Sequence, residues 1–266
     1  MDKEPWNSKL ASVEEPKFGR RGIYLLPNLF TTGALFAGFY AIVAAINSKF
    51  EAAAISIFIA MVLDGMDGRI ARLTNTQSDF GAEYDSLSDM VSFGLAPALV
   101  VYEWILLELG KIGWLAAFVF TACAALRLAR FNTQASSQDK RFFQGLPSPA
   151  AAAVLAGLVW FGNELELRDS SLSLSVLIVA TFALAATMVS NIRYYSFKDL
   201  DLRDKVPFIA VLFIVLAFFL VSLDPAGVLC LFSVGYAISG PALTLVQIRQ
   251  RRQARRVQKH PDQDAA

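Results

Sequence analysis

An all-α, polytopic membrane helix bundle is the fold class this sequence predicts, and three observations carry it. Of 266 residues, 55% are hydrophobic and 18% charged, with a mean hydropathy of +0.48, which is too apolar for a water-soluble domain of this length. Eight apolar stretches reach the roughly 17 to 25 residues needed to cross a bilayer. The 24 Lys and Arg residues gather in alternate connections between those stretches, as expected where cytoplasmic loops hold an excess of basic residues. The formal net charge of +1 hides this segregation.

Along the chain, residues 1–22 form a polar juxtamembrane segment without the short apolar core and small-residue cleavage site of a signal peptide, so the first span is expected to act as its own insertion signal. Spans are predicted near 24–46, 51–70, 84–108, 112–131, 147–163, 172–190, 207–223 and 226–246, which makes residues 23–247 one transmembrane domain and 248–266 a basic tail. With both termini on the cytoplasmic side of the inner membrane, twenty-one basic residues fall inside and only Lys49, Lys111 and Arg168 outside. The second span ends in Arg69 and Arg72, the fourth is followed by Arg127, Arg130, Lys140 and Arg141, and the sixth by Arg193, Lys198, Arg203 and Lys205. Cys123 and Cys230 fall within spans and outside any CxxC or Cys/His pattern, as packing residues do. The tail from Arg249 to Arg256 lacks interleaved aromatics, so it reads as a membrane-surface anchor and not a nucleic-acid site.

The chemistry gathers at the end of the second span. Asp64-Gly-Met-Asp67-Gly68-Arg-Ile-Ala71-Arg72 is followed by eight residues and then Gly81-Ala-Glu-Tyr-Asp85-Ser-Leu-Ser-Asp89. On helices, Asp64, Asp67, Gly68, Ala71 and Arg72 make one stripe, and Gly81, Asp85 and Asp89 make another. A short connection lets the stripes face each other. Carboxylates at membrane depth cost about 2.5–3.5 kcal/mol each on insertion scales, so four together call for compensating cations. Hard divalent ions, two of Mg²⁺ or Mn²⁺, suit oxygen ligands, and Mg²⁺ commonly completes its shell with water and phosphate. The single histidine, His260, lies in the tail, which excludes a zinc site and a Ser-His-Asp triad and leaves a carboxylate, lysine or tyrosine as general base. The alternatives are helix capping or pairing with Arg69 and Arg72, a catalytically silent structural protein, and ion transport. Transport is disfavoured because all four carboxylates sit at one edge on two consecutive helices.

These fixed positions, Asp64-x-x-Asp67-Gly68-x-x-Ala71-Arg72, eight residues, Gly81-x-x-x-Asp85-x-x-x-Asp89, resemble the signature of the CDP-alcohol phosphotransferase family. The resemblance implies a six-helix membrane core, here with about two extra C-terminal helices, in a homodimer that transfers a phosphoalcohol group from a CDP-linked donor and releases CMP. It implies Asp64, Asp67, Asp85 and Asp89 as metal ligands, with Asp89 also the catalytic base. Gly68, Arg72 and Ser78 match positions that contact the donor, Gly81 belongs to the same glycine-lined face, and Pro27-Asn28-Leu-Phe-Thr31 looks like the family's Pro-Asn motif beside the nucleotide.

The acceptor is addressed by a second segment. Ala125-Leu-Arg127-Leu-Ala-Arg130-Phe-Asn132, then Phe143-Gln-Gly-Leu-Pro147-Ser-Pro149-Ala, resembles the phosphatidylserine synthase branch of that family. The implied reaction joins CDP-diacylglycerol and L-serine, with Arg127, Arg130 and Asn132 as candidates for the acceptor's carboxylate or a lipid phosphate. Phosphatidylglycerophosphate and phosphatidylinositol(-phosphate) synthases are the alternatives within the family.

Overall fold

In hydrocarbon a backbone finds hydrogen-bond partners only in itself, so long apolar runs become helices. The computed structural model describes residues 21–134, 142–195 and 208–259. Among them run α1 (Arg21–Ile46), α2 (Phe50–Leu73), α3, α4 (Lys111–Gln134), α5 (Ser148–Glu164), α6 (Ser171–Val189), α7 (Phe208–Leu223) and α8 (Pro225–Lys259). Helix α3 continues without a break from Asp79–Asp89 through a π-helical turn, Met90–Leu95, into Ala96–Trp104. Two three-residue strands, β1 (Phe142–Gln144) and β2 (Arg193–Tyr195), pair antiparallel with Phe143 opposite Tyr194.

All eight helices overlap the predicted spans, and among the described residues the bundle is all-α apart from that small antiparallel pair. Among the described residues, four segments are long and apolar enough on their own to cross a membrane: Leu26–Ile46, Lys111–Thr133, Ser171–Val189 and Pro225–Leu245. The chain is a multi-pass membrane protein. Helices α2 and α3 carry the aspartates, while α5 and α7 have 17 and 16 residues.

Two predicted boundaries shift. Helix α1 begins at Arg21, so Pro27 lies inside it and not in its first turn. Helix α8 runs past the predicted domain boundary at 247 to Lys259, because Gln, Arg and Ala are good helix formers and no glycine or proline stops them. Residues 1–20, Lys140, Arg141, Lys198, Arg203, Lys205 and His260 lie outside the described residues.

Small side chains set the packing. Helix α1 buries Ala34, Ala37, Ala41 and Ala44, and α2, against which it packs, buries Ala53, Ala54, Ile57 and Ala60. Lipid is as apolar as these residues, so close backbone approach and dispersion hold the pair together. Helix α5 is the most enclosed, with Ala151 through Ala156 all buried, and it packs on α2, α3 and α8. Large apolar side chains point outward instead: Phe36, Phe39, Val62, Phe118 and Phe218 are each at least 59% exposed, a surface suited to lipid. Across the π turn α3 is tied to α1, since Ser88 Oγ donates to Thr31 O at 3.1 Å and Ser92 Oγ to Ala34 O at 3.0 Å.

Candidate active site

The connection between α2 and α3 brings the two acidic stripes together. Thr74 N–H and Thr76 N–H fold back to Ile70 O and Ala71 O at 2.9 and 3.0 Å, and Asn75 takes a left-handed φ of 51°. Ser78, in extended conformation, caps α3 by accepting a hydrogen bond from Gly81 N–H at 3.0 Å. The chain therefore reverses within a few residues.

As a result, one oxygen from each of Asp64, Asp67 and Asp85 lies within 4.8 Å of the other two. Asp89, expected as a fourth ligand, interacts with Asp64 but is not among the three carboxylates whose oxygens converge. Asp67 is buried and accepts a hydrogen bond from Thr31 Oγ1 at 2.7 Å, which fixes its carboxylate against α1. Asp85 Oδ1 is buried without a hydrogen-bond partner in the protein. Carboxylates this close repel one another, and a buried acceptor left unmatched is costly. A hard divalent cation answers both problems, so this donor set fits Mg²⁺ or Mn²⁺.

Beside the cluster opens a cavity of about 310 Å³. All seven residues expected at the donor site line it: Pro27, Asn28 and Thr31 from α1, Gly68 and Arg72 from α2, and Ser78 and Gly81 at the start of α3. Asp67 and Asp85 form its acidic wall. A Cβ added at Gly68 meets nothing within 4 Å, so the missing side chain is cavity space. Thr76, Gln77 and Ala82 also line it and were not anticipated. Thr76 and Gln77 belong to the irregular connection, where helical spacing says nothing; Ala82 lies in the first turn of α3, three residues before Asp85 on the same face.

Arg127, Arg130 and Asn132 do not line this cavity. They tie the end of α4 to its surroundings. Arg130 donates to Gln144 Oε1 at 2.9 Å, to Asn191 Oδ1 at 2.6 Å and to Val189 O at 3.3 Å, while Asn132 Nδ2 donates to Ser86 Oγ at 3.0 Å. Arg127 is buried, and its Nη1 donates to Ser148 Oγ at 3.3 Å. Its Nε has no hydrogen-bond partner, and Asp89 is among its electrostatic neighbours. Asp67 and Asp85 thus border the cavity, while Arg127 lies outside it and feels the charge of Asp89. Gly145 makes the loop before α5 possible. It has φ 78°, and a Cβ there would collide with Met188 O.

Comparison with known proteins gives a consistent result. The family described as CDP-alcohol phosphatidyltransferase matches residues 24–191. A Helicobacter pylori protein named CDP-diacylglycerol--serine O-phosphatidyltransferase is 38% identical over 221 residues, 82% of this chain and 90% of that protein. A Bacillus subtilis protein of the same name is 35% identical over 173 residues, 65% of this chain and 91% of its own length. One from Methanocaldococcus jannaschii is 39% identical over 143 residues, 54% and 63% of the two chains.

Proposed function

This chain belongs to the CDP-alcohol phosphatidyltransferase family, and from that membership we propose that it transfers the phosphatidyl group of CDP-diacylglycerol to the hydroxyl of L-serine, yielding phosphatidylserine and CMP. The observation that carries the reading is the juxtaposition of three carboxylates within 4.8 Å with a cavity whose glycines and Arg72 suit a diphosphate. The names of the relatives support serine as acceptor.

In this reading the cytidine and diphosphate occupy the cavity between Asn28, Ser78, Gly81 and Arg72. Arg72 offsets phosphate charge, and Gly68 leaves the donor room near the backbone of α2. Asp64, Asp67, Asp85 and Asp89 would hold two divalent cations, which would supply neutralisation of the diphosphate and of the charge that develops on the departing CMP. Asp89 takes the proton from the serine hydroxyl as its oxygen bonds to phosphorus. The bond from phosphorus to the CMP oxygen breaks, and the phosphatidyl group leaves on serine. Arg127 binds the serine carboxylate through its buried guanidinium, whereas Arg130 and Asn132 hold the loop and α3 in place around it. The active site and both termini face the cytoplasm, a reading supported by the distribution of basic residues, and two chains associate.

Purified protein incubated with CDP-diacylglycerol, Mg²⁺ or Mn²⁺, and serine, glycerol 3-phosphate or inositol in turn tests the reading through CMP release. Release with serine and formation of phosphatidylserine are expected. Release with another acceptor and none with serine overturns the acceptor, and no release with any overturns the reaction.

A further inference from the structure

Helix α1 reaches both acidic helices through one residue. Thr31 is buried, its Oγ1 donates to Asp67 Oδ2 at 2.7 Å, and its backbone oxygen accepts from Ser88 Oγ at 3.1 Å. A helical carbonyl already accepts the N–H four residues on, so Ser88 uses the second lone pair of that oxygen. Thr31 thus holds a carboxylate of α2 by its side chain and α3 by its main chain. Ser88, itself buried, stands three residues after Asp85 and one before Asp89. Further along α3, Ser92 Oγ donates to Ala34 O at 3.0 Å, and a Cβ added at Gly38 would stand 2.7 Å from Ser92 Cα. Helix α3 is thereby seated closely on α1 on both sides of Asp89.

The carboxylates oppose this seating. Asp64, Asp67 and Asp85 bring oxygens within 4.8 Å of one another, so like charges on α2 and α3 push the two helices apart. The hydrogen bonds from Ser88 to Thr31 and from Thr31 to Asp67 span that same gap by way of α1. Thr31 orients Asp67 directly, whereas Asp85 Oδ1 is buried without a hydrogen-bond partner in the protein, so the place of Asp85 depends on how its helix is seated. Spacing matters to a hard cation, and Mg²⁺ demands near-ideal octahedral geometry.

We propose that Ser88 is a positioning residue of the metal centre: its bond to Thr31 O fixes α3 on α1 and so sets the spacing of Asp85 from Asp67. The inference rests on the reading of these aspartates as ligands of divalent cations. Ser88→Ala deletes the hydroxyl and leaves Thr31 O its helical partner, so no buried polar group is orphaned and the fold is kept. Removing a group that orients metal ligands costs about 10–100-fold in metal affinity.

The test is calorimetric titration of Mn²⁺ into the purified full-length protein without substrates, comparing wild type with Ser88→Ala. The Kd for Mn²⁺ is expected to rise at least about tenfold. Ser56→Ala removes a hydroxyl whose bond, to Ala52 O at 2.7 Å, stays within α2, and is expected to leave the Kd within about twofold of wild type. Combined with Thr31→Val, S88A should add less than its own separate effect, because both bonds belong to one bridge. Where S88A does not accumulate as folded protein, Ser88→Cys, close in size and with only a weak S–H donor, is measured with the same expectation. An unchanged Kd in the Ser88 variant beside a wild type that binds Mn²⁺ overturns the inference, as does an equal rise in S56A or full additivity with Thr31→Val. A wild type that binds no Mn²⁺ overturns the metal reading itself, and the inference with it.

Discussion

Gly68 shows how a single residue divides stability from function. It sits inside α2, and a Cβ there meets no atom within 4 Å, so Gly68→Ala adds helix stability of about 0.5–1 kcal/mol. The same methyl enters the donor cavity. The thermal midpoint in detergent is expected to hold or rise, while kcat/KM for CDP-diacylglycerol falls at least about tenfold; a variant with wild-type kinetics contradicts the placement of the donor. Thr31→Val keeps the shape of a buried side chain and deletes the 2.7 Å bond to Asp67. The divalent cation concentration for half-maximal activity is expected to rise about 10–100-fold, read by titrating metal into EDTA-treated enzyme. The aspartates were legible in sequence because helical spacing of three and four carries them locally, whereas Pro27, Asn28, Thr31 and Ser78 were expected at the donor site only from the resemblance to the family's motifs. Thr76 and Gln77 were not, since their position depends on how an irregular turn closes. The partners of Arg130, Gln144 and Asn191, were equally hidden, because the contact joins segments up to 61 residues apart.

Among the elements, the eight helices were readable from apolar run length alone, and their ends less so. Helix α8 passes through its predicted end because a basic sequence of good helix formers gives no stop signal. The β1–β2 pair was invisible, as three-residue strands far apart in sequence leave no alternation to detect. The π turn after Asp89 was also unreadable. It follows the proposed base directly, and Ser88 and Ser92 on either side of that junction fasten α3 to α1; π turns recur at functional sites. Gly145 is the element-level weak point. Alanine at φ 78° costs about 1–2 kcal/mol before its collision with Met188 O is counted. Gly145→Ala is expected to lower the thermal midpoint by several degrees and to raise the serine KM more than the donor KM, because Gln144 and Ser148 flank the loop that holds the arginines. Equal changes in both KM values would separate the loop from acceptor binding.

For the whole molecule, the same physics decides inside and outside. Many large apolar residues face outward, alanines line the contact of α1 with α2, and the clustered aspartates sit at the end of the bundle where α2 turns into α3. The opposite end holds Arg168, whose Nε donates to Trp104 O at 2.8 Å and whose guanidinium lies 4.9 Å from the centre of the Phe50 ring. The proposed orientation puts Asn75 in the cytoplasm and Asp169 outside. With Cys123 and Cys230 replaced by alanine, Asp169→Cys is expected to react with a membrane-impermeant maleimide in intact cells, and Asn75→Cys only after the membrane is opened. The reverse pattern contradicts the orientation.

The central claim is that the aspartates of α2 and α3 form one catalytic centre with Asp89 as its base. Asp89→Asn tests it most directly, with donor binding and serine-dependent CMP release measured on the same purified protein. The account predicts that CDP-diacylglycerol still binds within about twofold of wild type while CMP release falls at least about 100-fold. Near-normal release would contradict it.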